Sequence, residues 1–531
     1  MDNASTPYGS AAFASRWDIA RAGLFRQHAS SLFTGFLGSR SLWYGGMGGV
    51  LLCAGARGGK LASYLAYSLL PGVLRDNSVV VLDPKGELAA ISQNQTADGK
   101  FCAHWNPMSL CGLPSCRINP LDYVRIDSPS LVSDVKVFCA NIIPNSGSPG
   151  GVYFEGRARE FLEALALSLT ETNKVLTFPD LYRAINLIPA GGSAWLDVAF
   201  RMSESRFEIA RRVEEEIAAS RSSTGNGFPG ILGELLKSFA ALSDPVLMAS
   251  VSPPFNFSME QLTSGPQPWQ VYLMPPAEFI EAWAPVIKAI LVSGMIYKAR
   301  APSATQQTWV LDECALLGGF PLVAKLFSYG AGIGVRPVAV FQSTKQMRAI
   351  APEAETIITA SAALRCFFAV RDLDTATMVS RMLGSETLAH EDSARQEIAR
   401  HGRHLAVQAL IGGQDPMETG LKIAHHARNA ALPAKRQRYL RSPDEILNTP
   451  AGKMYLFADG LPHPIYADRR PYYEERSMAG KFHPNPYHPP MDRVRVKTFW
   501  GHSWRPVITE PVPERFAHMP QYASGRWSRI G

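Results

Sequence analysis

Short apolar runs, each closed by a turn signal, recur along the chain and predict buried strands. They are Val50-Leu51-Leu52-Cys53, Val79-Val80-Val81-Leu82, Gln270-Val271-Tyr272-Leu273-Met274, Trp309-Val310-Leu311, Arg336-Pro337-Val338-Ala339-Val340-Phe341 and Arg365-Cys366-Phe367-Phe368-Ala369-Val370. Between them the apolar spacing shifts to that of a helix, over 61–70, 130–143 and 284–298. Strands alternating with helices predict an α/β fold, a largely parallel sheet with helices on both faces. From 154 to 262 helical periodicity dominates, with segments at 155–169, 203–220 and 229–242. That region reads as a mostly helical domain inserted into the α/β fold, with a mobile polar loop at 221–228. Residues 88–129 read as a connection, punctuated by turns at Asn106-Pro107 and Asn119-Pro120. Residues 144–151 read as a loop. Residues 391–433, charged and rich in His and Arg, resist placement. The tail from 470 onward, rich in Pro, Tyr, His and Arg, is expected to hold little regular structure.

The first predicted strand runs into Ala54-Gly55-Ala56-Arg57-Gly58-Gly59-Lys60-Leu61, then a helix stopped by Pro71-Gly72. Strand, glycine-rich turn ending in Gly-Lys, helix is the layout of a phosphate loop. Glycines let backbone N–H groups approach a phosphate, and the helix N-terminus adds partial positive charge. Lys60 would reach the β- and γ-phosphates. Ala54 stands where the motif has its first glycine, and Leu61 where it has the hydroxyl that holds Mg²⁺. By pattern alone the stretch is either a nucleotide site or an ordinary strand–turn–helix corner.

Composition narrows the class modestly. The chain has 531 residues, 46% hydrophobic and 19% charged, enough for two or three globular domains. A net charge of +7 suits an anionic partner such as nucleic acid or a membrane face. Seven cysteines without a secretory leader point to a reducing cytoplasm. Cys102, His104, Cys111 and Cys116 could be read as a metal group, but their spacing follows no standard zinc pattern, and scattered reduced thiols are the better reading. No charge-free apolar run is long enough to span a membrane.

Far downstream, Trp309-Val310-Leu311 leads into Asp312-Glu313. Two carboxylates at the carboxyl end of a strand sit where α/β folds bind ligands. Asp312 could hold Mg²⁺, directly or through water, and Glu313 could orient and deprotonate the attacking water. Gln342, closing the next strand, could sense the γ-phosphate or simply hydrogen-bond the strand end. With the Gly-Gly-Lys turn, the acidic pair makes a Walker A and Walker B set.

These stretches, with others in order, resemble the type IV secretion coupling proteins, the TraG/TraD family of conjugation ATPases. The likeness is carried by 55–60, by Asp83-Pro84-Lys85-Gly86-Glu87, Ile118-Asn119-Pro120-Leu121 and Phe154-Glu155-Gly156-Arg157-Ala158-Arg159. It continues through Leu311-Asp312-Glu313, Gly334-Val335-Arg336, Phe341-Gln342-Ser343, Leu383-Gly384, Met478-Ala479-Gly480 and the proline-rich 483–490. It covers residues 42–494. The resemblance implies a RecA-like P-loop nucleotide-binding domain with an inserted all-helical domain. It divides the chain into an extension (1–41), the nucleotide-binding domain in two parts (42–153 and 263–470), the helical insert (154–262) and a tail (471–531).

By the same resemblance Gly55, Ala56, Arg57, Gly58, Gly59, Lys60 and Leu61 would cradle ATP. Asp312 would hold Mg²⁺, Glu313 the water, and Gln342 the γ-phosphate. A hexameric ring is implied, moving relaxase-bound DNA or protein into a secretion channel. Arg336 and Arg365 are candidate arginine fingers, or else structural salt-bridge partners. Relatives begin with membrane helices, whereas about 40 residues precede the motor here. The expectation is a cytoplasmic form, or one docked peripherally at the inner membrane through a separate subunit and the channel. Two other readings remain: a nucleotide-binding adaptor that has lost hydrolysis, motivated by Ala54 and Leu61, and a DNA-pumping ATPase unconnected with secretion.

Overall fold

Apolar runs that never alternate with polar residues can only be buried on both faces, which suits a parallel strand between two helix layers. The computed structural model describes residues 9–93, 95–145, 149–221, 227–390, 393–412, 415, 417, 420–422, 424–425 and 434–531. Its strands in chain order are β1 (Leu32–Leu37), β2 (Arg40–Tyr44), β3 (Val50–Ala54), β4 (Ser78–Leu82), β5 (Phe101–Trp105), β6 (Trp269–Leu273), β7 (Gln307–Leu311) and β8 (Val335–Phe341). They continue with β9 (Leu364–Phe368), β10 (Ser385–His390), β11 (Ala434–Tyr439), β12 (Lys453–Ala458), β13 (Ile465–Asp468), β14 (Arg493–Thr498), β15 (Gly501–Pro511) and β16 (Arg526–Ile530). One 11-stranded sheet has the order β2-β1-β13-β12-β9-β3-β8-β7-β4-β6-β5. From β9 to β5 all pairings are parallel. The flank β12-β13-β1-β2 is antiparallel.

Every residue of β3, β4, β6, β7 and β8 is buried. Each large apolar side chain so buried contributes about 1.5–3 kcal/mol. Crossover helices Ala284–Arg300, Pro321–Ile333 and Ala354–Ser361 join successive parallel strands. Ala284–Arg300 is buried nearly all round, packed against helix Leu131–Ile142 and the Met259–Leu262 turn. The expected α/β class holds.

Between β5 and β6 the described residues form helices, from Pro149–Asn173 through Pro245–Ser250. Pro149–Asn173 is the central one, packed on Glu208–Arg221 and Gly227–Phe239. Phe161, Leu165, Val213, Ile217, Leu235 and Phe239 are buried there at helical spacing. Helix Phe178–Ala190 starts where the Thr177 hydroxyl accepts the Asp180 N–H, with Pro179 in its first turn. The helix expected over 203–220 is Glu208–Arg221; it starts later because Ser205 and Phe207 turn the chain after a separate helix, Gly192–Ser203. Most of the loop expected at 221–228 lies outside the described residues, as does part of the loop at 144–151.

Other expectations change. Residues 32–41, read as part of an extension, give β1 and the first two residues of β2 to the main sheet. The second partner of β1, β13, lies more than four hundred residues away, so nothing local announces that pairing; Phe36 pairs with Asp468. Phe101–Trp105, read as connection, is the edge strand β5; Cys102 and His104 interrupt its apolar run but are themselves buried. The tail is ordered, as the antiparallel sheet β14-β15-β16. Val494 and Val496 point inward while Arg493 and Arg495 face out, a period-two pattern that the prolines and arginines obscure. Within 391–433, residues Ser393–Ile411 form a helix, with β10 and β11 paired on either side of the segment; much of the remainder lies outside the described residues. Among the described residues no helix is long and apolar enough to cross a membrane.

Candidate nucleotide site

The turn after β3 is held tight by its neighbour. A Cβ on Gly55 would come 2.2 Å from the Ala369 carbonyl oxygen, and one on Gly58 2.7 Å from Ala369 Cβ. Gly58 N–H donates to Gly55 O at 3.0 Å. Arg57 and Gly59 take positive φ, 57° and 77°. Ala56 precedes them, and Lys60 opens the helix. The first turn is wound wide, since Ala66 N–H reaches back five residues to Leu61 O.

Lys60 Nζ lies 2.7 Å from Asp312 Oδ1 and 2.5 Å from Glu313 Oε1. Gln342 Nε2 donates to both carboxylate oxygens of Glu313 at 3.2 Å. The phosphate turn, the acidic pair after β7 and the glutamine after β8 therefore meet at the carboxyl edge of the sheet. Glu313 is left-handed, with φ 54°, an uncommon state for a side-chain-bearing residue and one that gathers at functional sites. Burial pulls the Lys60 ammonium down, but Asp312 and Glu313 together outweigh it, so its pKa lies above the ordinary lysine value. Burial also raises Asp312, with Lys60 opposing that rise.

Asp83 joins the edge from β4. It is buried, its Oδ2 accepts the Ala89 N–H at 2.8 Å, and Gly86 N–H closes the turn onto Asp83 O at 3.1 Å. Burial pushes its carboxyl up to about 7, against the Ala89 hydrogen bond, and nearby Asp312 and Glu87 add to the rise.

One residue of this arrangement was not anticipated. Arg469, just after β13, donates from Nη1 to Gly58 O at 2.7 Å and to Ser63 Oγ at 2.8 Å, and lies 4.0 Å from the Phe368 ring centroid. It therefore holds the outer side of the phosphate turn. Its only sequence signal is an arginine pair ending a short apolar strand. Ser63 is the hydroxyl near the turn, but it donates to Gly59 O at 2.7 Å while accepting from Arg469. Leu61 brings none.

Arg336 does not belong to the site. It is the second residue of β8, five before Phe341, and about 3.3 Å per residue puts it near the opposite edge of the sheet. It is fully buried, donating to Ser30 O and Gly46 O at 2.8 Å and to Thr308 Oγ1 at 3.0 Å. Those bonds tie the β2–β3 turn to the sheet. Arg365, near the start of β9, faces Asp459 at 3.7 Å. Cys102 Sγ lies 3.6 Å from His104 Nε2, with the His104 ring stacked on Tyr272, and burial lowers His104 to about 4. Cys111 is exposed and apart, its Sγ against Lys85 O. Among the described residues no group of three or more His, Cys, Asp or Glu side chains is placed to hold a metal.

The fold is similar to that of the bacterial conjugative coupling protein TrwBdeltaN70 in its unbound monoclinic form. Identity is 15% and the TM-score 0.56, covering 87% of this chain and 93% of that one. The plasmid coupling protein TrwB in complex with the non-hydrolysable GTP analogue GDPNP gives 17% identity and a TM-score of 0.57, over 87% and 98%. TrwB in complex with ADP and Mg²⁺ gives 16% and 0.56, over 87% and 96%. At such identities the likeness is one of fold. No curated protein matches the sequence significantly. The profile of the family described as Type IV secretory system Conjugative DNA transfer matches residues 10–489, and the chain belongs to that family.

Proposed function

We propose that the protein is an ATP- and Mg²⁺-dependent coupling ATPase, recruiting and driving relaxase-bound DNA or a protein substrate into a type IV secretion channel. The observation that carries this is the meeting of Lys60, Asp312, Glu313 and Gln342 at one point of the sheet edge. TrwB, similar in fold, has been solved with ADPNP and with ADP and Mg²⁺. The residues fit the metal: a hard cation takes oxygen ligands, and Asp312 offers a carboxylate beside the phosphate turn. A Mg²⁺ held by Asp312 would supply positive charge to offset that of the phosphates.

The chain's own groups would act as follows. Lys60 exchanges its two carboxylate partners for phosphate oxygens, whose negative charge takes over in holding the ammonium charged. That exchange frees Asp312 and Glu313. Glu313 then orients the attacking water and takes its proton, and Gln342, already bonded to Glu313, hands an N–H to the γ-phosphate side. Gly59 would present its backbone N–H, with Arg469 holding the Gly58 carbonyl. A hexameric ring and peripheral attachment at the inner membrane, on its cytoplasmic side, complete the proposal.

The test is the ATPase rate with and without single-stranded DNA, for wild type and Lys60→Ala. Loss of about 10²–10³-fold in the variant is expected. Equal rates in both would reject the motor. A second reading, an adaptor that binds nucleotide without hydrolysing it, is favoured by Leu61 and by the engaged Ser63 hydroxyl. Tight ATP binding with no phosphate release, even with DNA and channel subunits present, would select it.

A further inference from the structure

The catalytic groups mark one end of the phosphate turn; the other end opens into a cavity they do not line. This cavity, about 710 Å³, is walled on one side by Arg57 and Gly59 of the turn and by Leu61 and Ala62, the residues following Lys60. Its remaining walls come largely from the tail, with Tyr473 and Trp504 among them and Glu87 on the sheet side. Tyr473 and Trp504 are 43% and 53% exposed, so both keep open ring surface. Arg493 lies over Trp504 at 5.2 Å from the ring centroid and steadies it. Glu87 accepts from Asn485 Nδ2 at 2.5 Å through one oxygen.

A nucleoside triphosphate lying in the turn has a fixed polarity. Its γ-phosphate must face Glu313 and Gln342, so its α-phosphate faces Leu61 and Ala62, and the sugar and base emerge there. We infer that this cavity receives the nucleoside, a purine base held between tail aromatics with its amino or ribose hydroxyl donors toward Glu87. The volume lies within the usual range for small-molecule sites, roughly 300–1,000 Å³. Aromatic and guanidinium faces take bases by stacking. The tail is then part of the nucleotide site. The inference rests on the nucleotide reading proposed above.

The experiment separates base from phosphate. Dissociation constants for Mg·ATP and for inorganic tripolyphosphate are measured by calorimetry on the full chain. Wild type is compared with Tyr473→Ala, Trp504→Ala and the double variant, melting temperatures being checked alongside. The double variant should bind ATP about tenfold or more weakly and tripolyphosphate as wild type does. ATP affinity unchanged in the double variant, or equal weakening of both ligands, overturns the inference. Wild type binding tripolyphosphate as tightly as ATP leaves the phosphate grip standing and removes the base cavity. Wild type binding neither removes the nucleotide reading as well.

Discussion

The sheet edge and the helical segment between β5 and β6 place their charges differently. At the edge, Lys60, Asp312 and Glu313 are drawn together with side chains only 18%, 13% and 25% accessible. In the helical segment, pairs such as Lys237–Glu234 and Arg206–Glu171 are more exposed, their basic partners 77% and 56% accessible. Exposed pairs of that kind are worth about 0–1 kcal/mol, and folding would hardly notice their loss. Partly buried charges cost desolvation, and a fold keeps them where a ligand will use them. Conversely, the helical segment draws its stability from Phe161, Leu165, Leu235 and their neighbours, while the edge gains its geometry from buried strands on both sides.

The contrast can be broken at several depths. Glu313→Gln should reduce ATP turnover by about 10²–10⁴-fold with ATP affinity near wild type, read by steady-state rate and calorimetry. Normal turnover would end the assignment of Glu313 as base. Phe161→Ala should cost about 3–5 kcal/mol in chemical denaturation, confined to the helical segment if that segment melts separately. A loss below 1 kcal/mol would mean that its packing is loose. Asp83→Asn addresses pH. Because the folded carboxyl is raised to about 7, the native state holds a proton that the unfolded state releases near 4. Wild-type stability should therefore fall as pH rises between about 4 and 7, and the asparagine variant should lose that part of the slope. An unchanged slope would remove Asp83 as its source. Lys237→Ala should shift stability by less than about 1 kcal/mol, a larger shift showing that the helical surface is not the passive one described.

Much of the parallel sheet was legible because β3, β4, β6, β7 and β8 are unbroken apolar runs, and burial on both faces demands nothing else. The same reading passed over β5, since a cysteine and a histidine inside it looked polar though the fold buries both. It passed over β1 and β13 because their pairing spans nearly the whole chain. In the site, Lys60, Asp312, Glu313 and Gln342 could be named since each ends a recognisable strand or turn. Arg336 was misplaced by the same logic: it lies on the right strand but at the wrong end. Arg469 gave no local sign, for its role depends on where Gly58 and Phe368 come to rest.

The grip of Arg469 on the phosphate turn bears on how the chain acquires its site during synthesis. The turn is made within the first sixty residues, yet its brace emerges only after more than four hundred others. A nascent or truncated chain ending before β13 would carry every residue of the Walker set and still lack the support that shapes the first of them. Competence to hold nucleotide should accordingly arrive late, in one step, when the last strand of the main sheet slots between β1 and β12.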